Sequence, residues 1–305
     1  MKFYKILYIL RLWLESITFW IMHILLIPVR IKIITSRSSD EFLSYEDLCS
    51  INNHYRTIEK LSLEQETGYQ EKWAARVSSI AEFFNLNNIL EVGCGNGFAA
   101  YSLLKSGRSV AAVDIVDIRA EQVKQSIVSF SIGDVCHRLP YDESSFDLIF
   151  SINSFEHFEQ PALALNEIIR VLHPNGFLFL AFSPLYYSPW GLHASRRLGM
   201  PYPQLLFSAP TIQQFVEFNK DTLAGTYNDF ADRSKIGPYL NGYSLKQYRQ
   251  IFNSQKHQIK TLAKVEAISL DGIKIIYQYP GLIKSRAPSH EDLFVSGIKL
   301  LARKR

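Results

Sequence analysis

A cluster of three glycines directly after a short apolar run limits most strongly how this chain can fold. The stretch ILEVGCGNGFAA, residues 89–100, places Gly93, Gly95 and Gly97 beside one carboxylate, Glu91. A strand that ends in this pattern and opens a helix brings bare backbone amides to a ligand at the helix N-terminus. The third glycine comes one residue earlier than in the G-x-G-x-x-G fingerprint. The pattern therefore predicts a strand–loop–helix ligand site and disfavours NAD or FAD.

Residues 88–183 alternate between short apolar runs and helical patterns. The runs SVAAVD and FDLIFSI are typical of strands, whereas FAAYSLLKSG, AEQVKQSIVSF and PALALNEIIRVLH are typical of helices. This alternation predicts an α/β fold in which helices cover both faces of a parallel sheet, with ligands at the carboxyl ends of the strands. The strand SVAAVD ends at Asp114, where an acid can accept hydrogen bonds from both hydroxyls of a ribose. Asp117 competes for that role.

Four segments together carry a resemblance to a known family. ILEVGCGNGFAA, VAAVDI, SIGDVCHRLPYDESSFDLIFSINSFEHF and ALALNEIIRVLHPNGFLFLAF occur in the order and at the spacing of the class I S-adenosylmethionine-dependent methyltransferases. Within that family the sequence is most similar to small-molecule enzymes with a methyltransferase-11-like core. The resemblance implies a Rossmann-like, seven-stranded, mostly parallel sheet whose last strand is antiparallel. SGIKLLARK is the candidate for that last strand, at the edge of the sheet.

The same resemblance implies S-adenosylmethionine as the cofactor and assigns residues to its methionine and ribose parts. The backbone of the three glycines would lie against the amino-acid end of the cofactor, and Glu91 would help to hold its ammonium. Asp114 would bind the ribose, and Ile115 would pack on the adenine. Glu91 is consistent with a ligand that carries no phosphate, because a phosphate would repel this carboxylate.

Further implied contacts involve the next two strand ends. Asp134 resembles the acid that accepts from the adenine amino group, with the Val135 amide beside it. Asn153 corresponds to a position that often touches the methionine moiety. Two alternatives stay open here: Asp134 as a turn acid that caps SIGDV, and Asn153 as a purely structural residue.

Catalysis by direct methyl transfer requires little from the side chains. A sulfonium already makes its methyl group electrophilic, so positioning supplies much of the rate, and a base is needed only if the acceptor loses a proton. The candidates are His157 in FEHF, and His193 and Tyr187 in the segment YYSPWGLH. The Glu-His pair of FEHF recurs in methyltransferases of different specificity, so an architectural role for His157 is an open alternative, as is a structural role for His193. The histidines are scattered, and we predict no metal site.

The first 39 residues are both the most apolar and the most basic part of the chain. They contain one acid, Glu15, whereas the remainder of the chain is close to neutral, which argues against nucleic acid as a partner. Residues 12–29 are near the lower length limit for a bilayer span. Because Glu15 would be costly in a bilayer, an interfacial helix is favoured over a spanning one. A third interpretation packs this helix on the protein's own core or on a partner subunit.

The predicted organisation has five segments. They are an apolar, basic N-terminal helix and candidate membrane anchor (1–39), a helical lead-in (40–87), the cofactor-binding core (88–183), an insertion that binds the acceptor or forms a lid (184–260), and closing strands (261–305).

Three widely spaced cysteines fit a reducing compartment, and we expect a cytoplasmic, membrane-associated protein. The predicted activity is methyl transfer to a small or lipid-like acceptor. The alternatives are a non-catalytic cofactor-binding scaffold and a Rossmann-type oxidoreductase.

Overall fold

The computed structural model describes residues 24–55, 63–192, 198–219 and 240–305. Its centre is a seven-stranded sheet. The strands are β1 (Asn88–Val92), β2 (Ser109–Asp114), β3 (Ser129–Ile132), β4 (Phe146–Ile152), β5 (Leu172–Phe182), β6 (Ile259–Ile268) and β7 (Val295–Lys304). Their order across the sheet is β3–β2–β1–β4–β5–β7–β6. The first five strands pair in parallel and β7 is antiparallel to both its neighbours, so the predicted fold class is confirmed.

Helices connect these strands and precede them. In the described ranges they are α1 (Ile27–Thr35), α2 (Tyr45–Asn52), α3 (Leu63–Phe83), α4 (Phe98–Lys105), α5 (Glu121–Lys124), α6 (Pro161–Val171), α7 (Pro203–Leu206), α8 (Ala209–Phe218), α9 (Leu245–Ser254), α10 (Ile273–Gln278) and α11 (Pro280–Arg286). One apolar cluster joins α6 and α9 to one face of the sheet, and a second joins α3 and α4 to the other. The core is therefore a helix–sheet–helix sandwich.

Two details of the expected sheet region are corrected. The antiparallel strand β7 is not at the edge, because β6 lies outside it. Leu300, Leu301 and Ala302 of β7 are all fully buried, as in a strand with covered faces inside a sheet. The expected helix AEQVKQSIVSF is limited to the four residues of α5. Ser126 ends it, because its Oγ donates to the Val123 oxygen and accepts from the Val128 amide.

A third apolar cluster lies outside the sandwich and forms a helical cap. We define the cap as the described parts of residues 24–55, 186–219 and 269–294, which share this cluster. The segment 186–219 follows β5 and the segment 269–294 follows β6, and these two strands run in the same direction. Both segments therefore leave the sheet at its carboxyl edge, where a parallel sheet binds its ligands. The helices α10 and α11 thus separate the two strands expected in 261–305.

The described start of the chain belongs to the cap. Leu26, Val29 and Ile33 are buried in the cap cluster, so this part of the apolar N-terminal segment packs on the protein's own core. The remainder of the predicted N-terminal helix, residues 1–23, lies outside the described residues. A search of the described helices found none that combines the length and the apolar character needed to cross a bilayer.

Candidate active site

The loop between β1 and α4 takes its path from glycines in left-handed backbone conformations. The φ angles are +71° at Gly93, +52° at Gly95 and +76° at Gly97. A β-carbon on Gly93 would lie 2.5 Å from Cβ of Ser154, and one on Gly97 would lie 2.9 Å from Cγ1 of Val123. A β-carbon on Gly95 would meet nothing within 4 Å. Gly93 and Gly97 therefore serve the protein's own packing, while Gly95 leaves a space that a ligand can fill.

Glu91 is buried behind this loop. Its Oε2 accepts a 2.8 Å hydrogen bond from the Ala100 amide, one of the amides that the N-terminus of α4 leaves unpaired. Burial raises the pKa of Glu91 to about 8; the Ala100 N–H opposes this shift and the charge of Asp114 adds to it. A cation beside Glu91 would favour its ionised form. The described role of Glu91 is to cap α4, and its contact with a cofactor ammonium stays a prediction.

Asp114 ends β2 with its carboxylate fixed against the glycine loop. Its Oδ2 accepts from the Gly95 amide at 2.8 Å, and its Oδ1 accepts from the Ile115 amide at 2.8 Å. Burial raises the pKa of Asp114, and these backbone donors oppose the shift. A carboxylate offers about four lone-pair sites. The Val116 amide is a third backbone donor near this carboxylate. The carboxylate keeps acceptor capacity beyond these amides, as ribose hydroxyls would require.

Two exposed apolar side chains lie beside this carboxylate. Ile132 at the end of β3 is the sheet neighbour of Asp114, and Ile115 follows Asp114 directly. They are 65% and 68% exposed, which is unusual for isoleucine in a sheet region. An apolar surface next to a ribose-binding acid is what an adenine ring needs. The residues present therefore fit the adenosine part of S-adenosylmethionine.

Asp117, the competing candidate, is already paired. Its Oδ1 accepts from Arg119 Nε and its Oδ2 accepts from Arg119 Nη2, both at 2.9 Å. Hydrogen bonding to this guanidinium lowers the pKa of Asp117 to about 2. The Arg119 guanidinium also lies over the ring of Phe130, 3.9 Å from its centroid. This arrangement makes Asp117 a partner of Arg119 and favours Asp114 as the ribose ligand.

Asp134 organises a tight turn after β3. Its Oδ1 accepts from the Cys136 amide at 2.8 Å, and its Oδ2 lies 2.9 Å from Nδ1 of His137. The side chain of Asp134 is nevertheless 45% exposed. These bonds are the ones expected if Asp134 caps the turn. The predicted contact with adenine would have to use the remaining lone pairs of the Asp134 carboxylate. The Val135 side chain is buried, so only the backbone of this residue is suited to face a ligand.

Asn153 at the end of β4 is held by a residue from a distant helix. Its backbone is left-handed, with φ +49°, and its Nδ2 donates to Oη of Tyr69 at 2.7 Å. Tyr69 lies on α3, where Trp73 packs one turn later between its ring and that of Phe179. The lead-in helix therefore contributes Tyr69 to the site. The sequence patterns did not predict this contribution, although Tyr69 and Trp73 are aromatic residues at positions i and i+4 of a helix.

The turn after β4 contains a buried acid as well as the candidate base. Glu156 is 1% exposed, and its Oε1 accepts from the Ser183 amide at 3.3 Å. No described group bonds its other oxygen, Oε2. Nε2 of His157 lies 4.0 Å from Oε1, and the His157 side chain is 33% exposed. His157 is thus accessible at the carboxyl edge, while Glu156 ties the end of β4 to the end of β5.

Replacing Glu156 with glutamine is expected to stabilise the protein at alkaline pH. Burial raises the pKa of Glu156 to about 8, against about 4.3 for an unperturbed glutamate. The folded state therefore binds more protons than the unfolded state between these values, and stability falls as pH rises from about 5 to about 8. Because one pKa unit corresponds to about 1.4 kcal/mol, Glu156→Gln should be more stable than the unmodified chain by several kcal/mol at pH 8.5.

Urea unfolding at pH 5.5 and pH 8.5 measures this difference. Glu159→Gln, which removes an exposed acid from the same turn, is the matched control and should leave the pH dependence unchanged. Equal loss of stability with pH in the unmodified chain and in Glu156→Gln would show that Glu156 is not the buried acid described above.

The aromatic start of the cap follows directly after β5. Tyr186 and Tyr187 pack edge to face with ring centroids 5.0 Å apart, and Trp190 Nε1 donates to Asp271 Oδ2 at 2.7 Å. Tyr187 packs against the cap cluster, and burial raises its pKa, with a further contribution from Asp292. An ionised Tyr187 is thereby disfavoured. The third candidate, His193, lies outside the described residues.

Comparison with known proteins identifies the core. The family model described as a methyltransferase domain matches residues 90–180. Methyltransferase GfsG of Streptomyces halstedii is 34% identical over 31% of this chain and 37% of its own length. The ubiquinone/menaquinone biosynthesis C-methyltransferase UbiE of Bartonella tribocorum is 32% identical over 36% of this chain and 50% of its own length. The chain thus spans half or less of the length of these relatives.

A solved S-adenosylmethionine-dependent methyltransferase from Mesorhizobium loti superimposes with a TM-score of 0.43 at 16% identity, covering 72% of this chain and 90% of that chain. The segment that matches the methyltransferase domain contains the glycine loop, Asp114, Asp134 and Asn153. The cofactor of this family is S-adenosylmethionine. The core of the chain, residues 90–180, therefore matches the methyltransferase-domain family, and its sheet has the topology predicted for the class I S-adenosylmethionine-dependent methyltransferases.

Proposed function

We propose that this chain transfers a methyl group from S-adenosylmethionine to a small, lipid-like acceptor bound between the sheet edge and the cap. The observation that carries the proposal is the carboxylate of Asp114. Backbone amides fix its position, acceptor capacity remains on the carboxylate, and exposed Ile115 and Ile132 lie beside it. This combination suits an adenosine, whereas a carboxylate and two isoleucine side chains offer no hydrogen-bond donor to a phosphate.

The proposed chemistry relies on positioning. When S-adenosylmethionine is bound, its sulfonium supplies an electrophilic methyl group. Asp114 would hold the ribose, the open backbone at Gly95 would admit the methionine part, and Asn153 would contact that part while Tyr69 keeps its amide oriented. Holding two reactants in the correct geometry can lower a barrier by about 7–11 kcal/mol. His157 would accept a proton if the acceptor loses one.

The acceptor class is proposed from the cap and from one relative. The tyrosines and tryptophan that follow β5 supply apolar surface with polar tips, which suits a ring-bearing acceptor. The name of the UbiE relative refers to ubiquinone and menaquinone biosynthesis. We therefore propose an apolar, ring-bearing acceptor of that general kind, methylated on the cytoplasmic side of a membrane that residues 1–39 contact.

Transfer of labelled methyl groups tests this proposal. The full chain is incubated with methyl-labelled S-adenosylmethionine and either a membrane lipid extract or an aqueous metabolite extract. We expect label in a lipid product, and Asp114→Ala should prevent its formation. Label confined to aqueous products would contradict the acceptor class. Cofactor binding without transfer in either extract would instead favour a scaffold.

A further inference from the structure

One helix face near the described start of the chain is apolar and exposed. Ile24, Ile27, Ile31 and Ile34 recur at helical spacing along α1 and just before it, and each is between 47% and 66% exposed. We call these four residues the isoleucine stripe. Soluble proteins rarely leave a contiguous apolar row uncovered unless it contacts a partner or a membrane.

The opposite face of α1 is fixed to the cap. Its buried side chains are Leu26, Val29 and Ile33. Lys284 of α11 donates from Nζ to the backbone oxygens of Ile34 at 2.7 Å and Ser36 at 3.0 Å. This places a cation at the carbonyl end of the helix, where it is favourable. The stripe is therefore presented by a helix that the cap holds in place.

The charge around the stripe is positive. Arg30 and Lys32 fall on opposite sides of it at 100° per residue. Arg30 is near Glu291 of the cap, whereas Lys32 and Arg37 are exposed. No aspartate or glutamate occurs between positions 16 and 39. A second copy docked through the same face would bring these cations together, which is unfavourable. Anionic lipid headgroups complement the cations, and acyl chains complement the isoleucines.

We propose that the isoleucine stripe, together with Lys32 and Arg37, docks into the interface of an anionic membrane. What this docking would achieve rests on the proposed function. Because the cap extends from the carboxyl edge of the sheet, docking would bring the acceptor site to the lipid surface. The sequence before Ile24 continues the same chemistry, with Trp13, Phe19 and Trp20 among further cations.

Co-flotation with lipid vesicles tests the proposal on the full chain. The vesicles contain either phosphatidylcholine alone or phosphatidylcholine with 30% phosphatidylglycerol, a composition we choose to give roughly the anionic content to which basic segments respond. We expect binding to the anionic vesicles and at least about tenfold weaker binding for Ile27→Gln/Ile31→Gln/Ile34→Gln. Lys32→Gln should weaken binding about fivefold.

The matched control is Ile127→Gln/Leu163→Gln, which removes exposed apolar side chains away from α1. It should float like the unmodified chain, and thermal unfolding should show both variants folded. Absence of flotation of the unmodified chain, or equal flotation of the stripe variant, would overturn the proposal. So would a change from dimer to monomer in the stripe variant without a change in vesicle binding. Calorimetry with S-adenosylmethionine on the same samples reports separately on the proposed function.

Discussion

Asp114→Ala is expected to lower the affinity for S-adenosylmethionine at least about 100-fold. A hydrogen bond to a charged group contributes about 1.5–3 kcal/mol, and we expect the Asp114 carboxylate to accept one from each of the two ribose hydroxyls. Losing two such bonds is equivalent to two or more powers of ten in affinity. The substitution also removes the partner of the Gly95 amide. Isothermal titration calorimetry of the full chain measures the loss directly.

The control for this prediction is Asp117→Ala. The Asp117 carboxylate is bound by Arg119, so its removal should change cofactor affinity by no more than about threefold, the scale of a small electrostatic change. Asp114→Asn should fall between, because the amide oxygen can still accept while the amide nitrogen cannot. A large loss with Asp117→Ala and a small one with Asp114→Ala would exchange the roles of the two acids.

The two glycines Gly93 and Gly95 should respond to alanine in different ways. Both have left-handed φ angles, which cost an L-residue about 1–2 kcal/mol. In Gly93→Ala the new Cβ also meets Ser154 Cβ at 2.5 Å, so we expect a further loss of about 1–3 kcal/mol from overpacking. In Gly95→Ala the new Cβ enters open space, so stability falls by the strain alone while cofactor affinity falls about tenfold or more.

Chemical denaturation and calorimetry on both variants separate these effects. The double variant Gly93→Ala/Ser154→Gly removes the atoms that clash and should recover part of the stability lost in Gly93→Ala. Equal losses of stability in Gly93→Ala and Gly95→Ala would mean that the loop does not pack as described. Unchanged cofactor affinity in Gly95→Ala would remove this glycine from the binding site.

Local patterns were sufficient to predict the sheet and the meeting of the glycine loop with Asp114 at its carboxyl edge. The glycine loop and the acid at the end of β2 both follow from strand–loop–helix spacing, and the described structure has them side by side. The bond between Tyr69 and Asn153 could not be predicted in this way, because it joins residues 84 positions apart through the packing of α3. The packing of Ser154 against Gly93 could not be predicted for the same reason.

Elements with ambiguous patterns were predicted less well. Both faces of α1 are apolar in sequence, and only packing distinguishes buried Ile33 from exposed Ile34. The position of β7 inside the sheet depends on pairing with β6 and not on its own composition. The helix α5 is shorter than predicted because the Ser126 side chain replaces a helical hydrogen bond. Hydrogen bonds between a side chain and the nearby backbone compete with helical ones, and hydrophobic periodicity does not reveal them.

We propose that the carboxyl edge of this sheet binds S-adenosylmethionine, with Asp114 as the ribose ligand. The measurement that tests it most directly is calorimetric titration of the full chain with S-adenosylmethionine and, separately, with NAD. We expect saturable binding of S-adenosylmethionine at one site per chain, loss of that binding in Asp114→Ala, and no binding of NAD. Binding of NAD, or S-adenosylmethionine affinity that Asp114→Ala leaves unchanged, would contradict it.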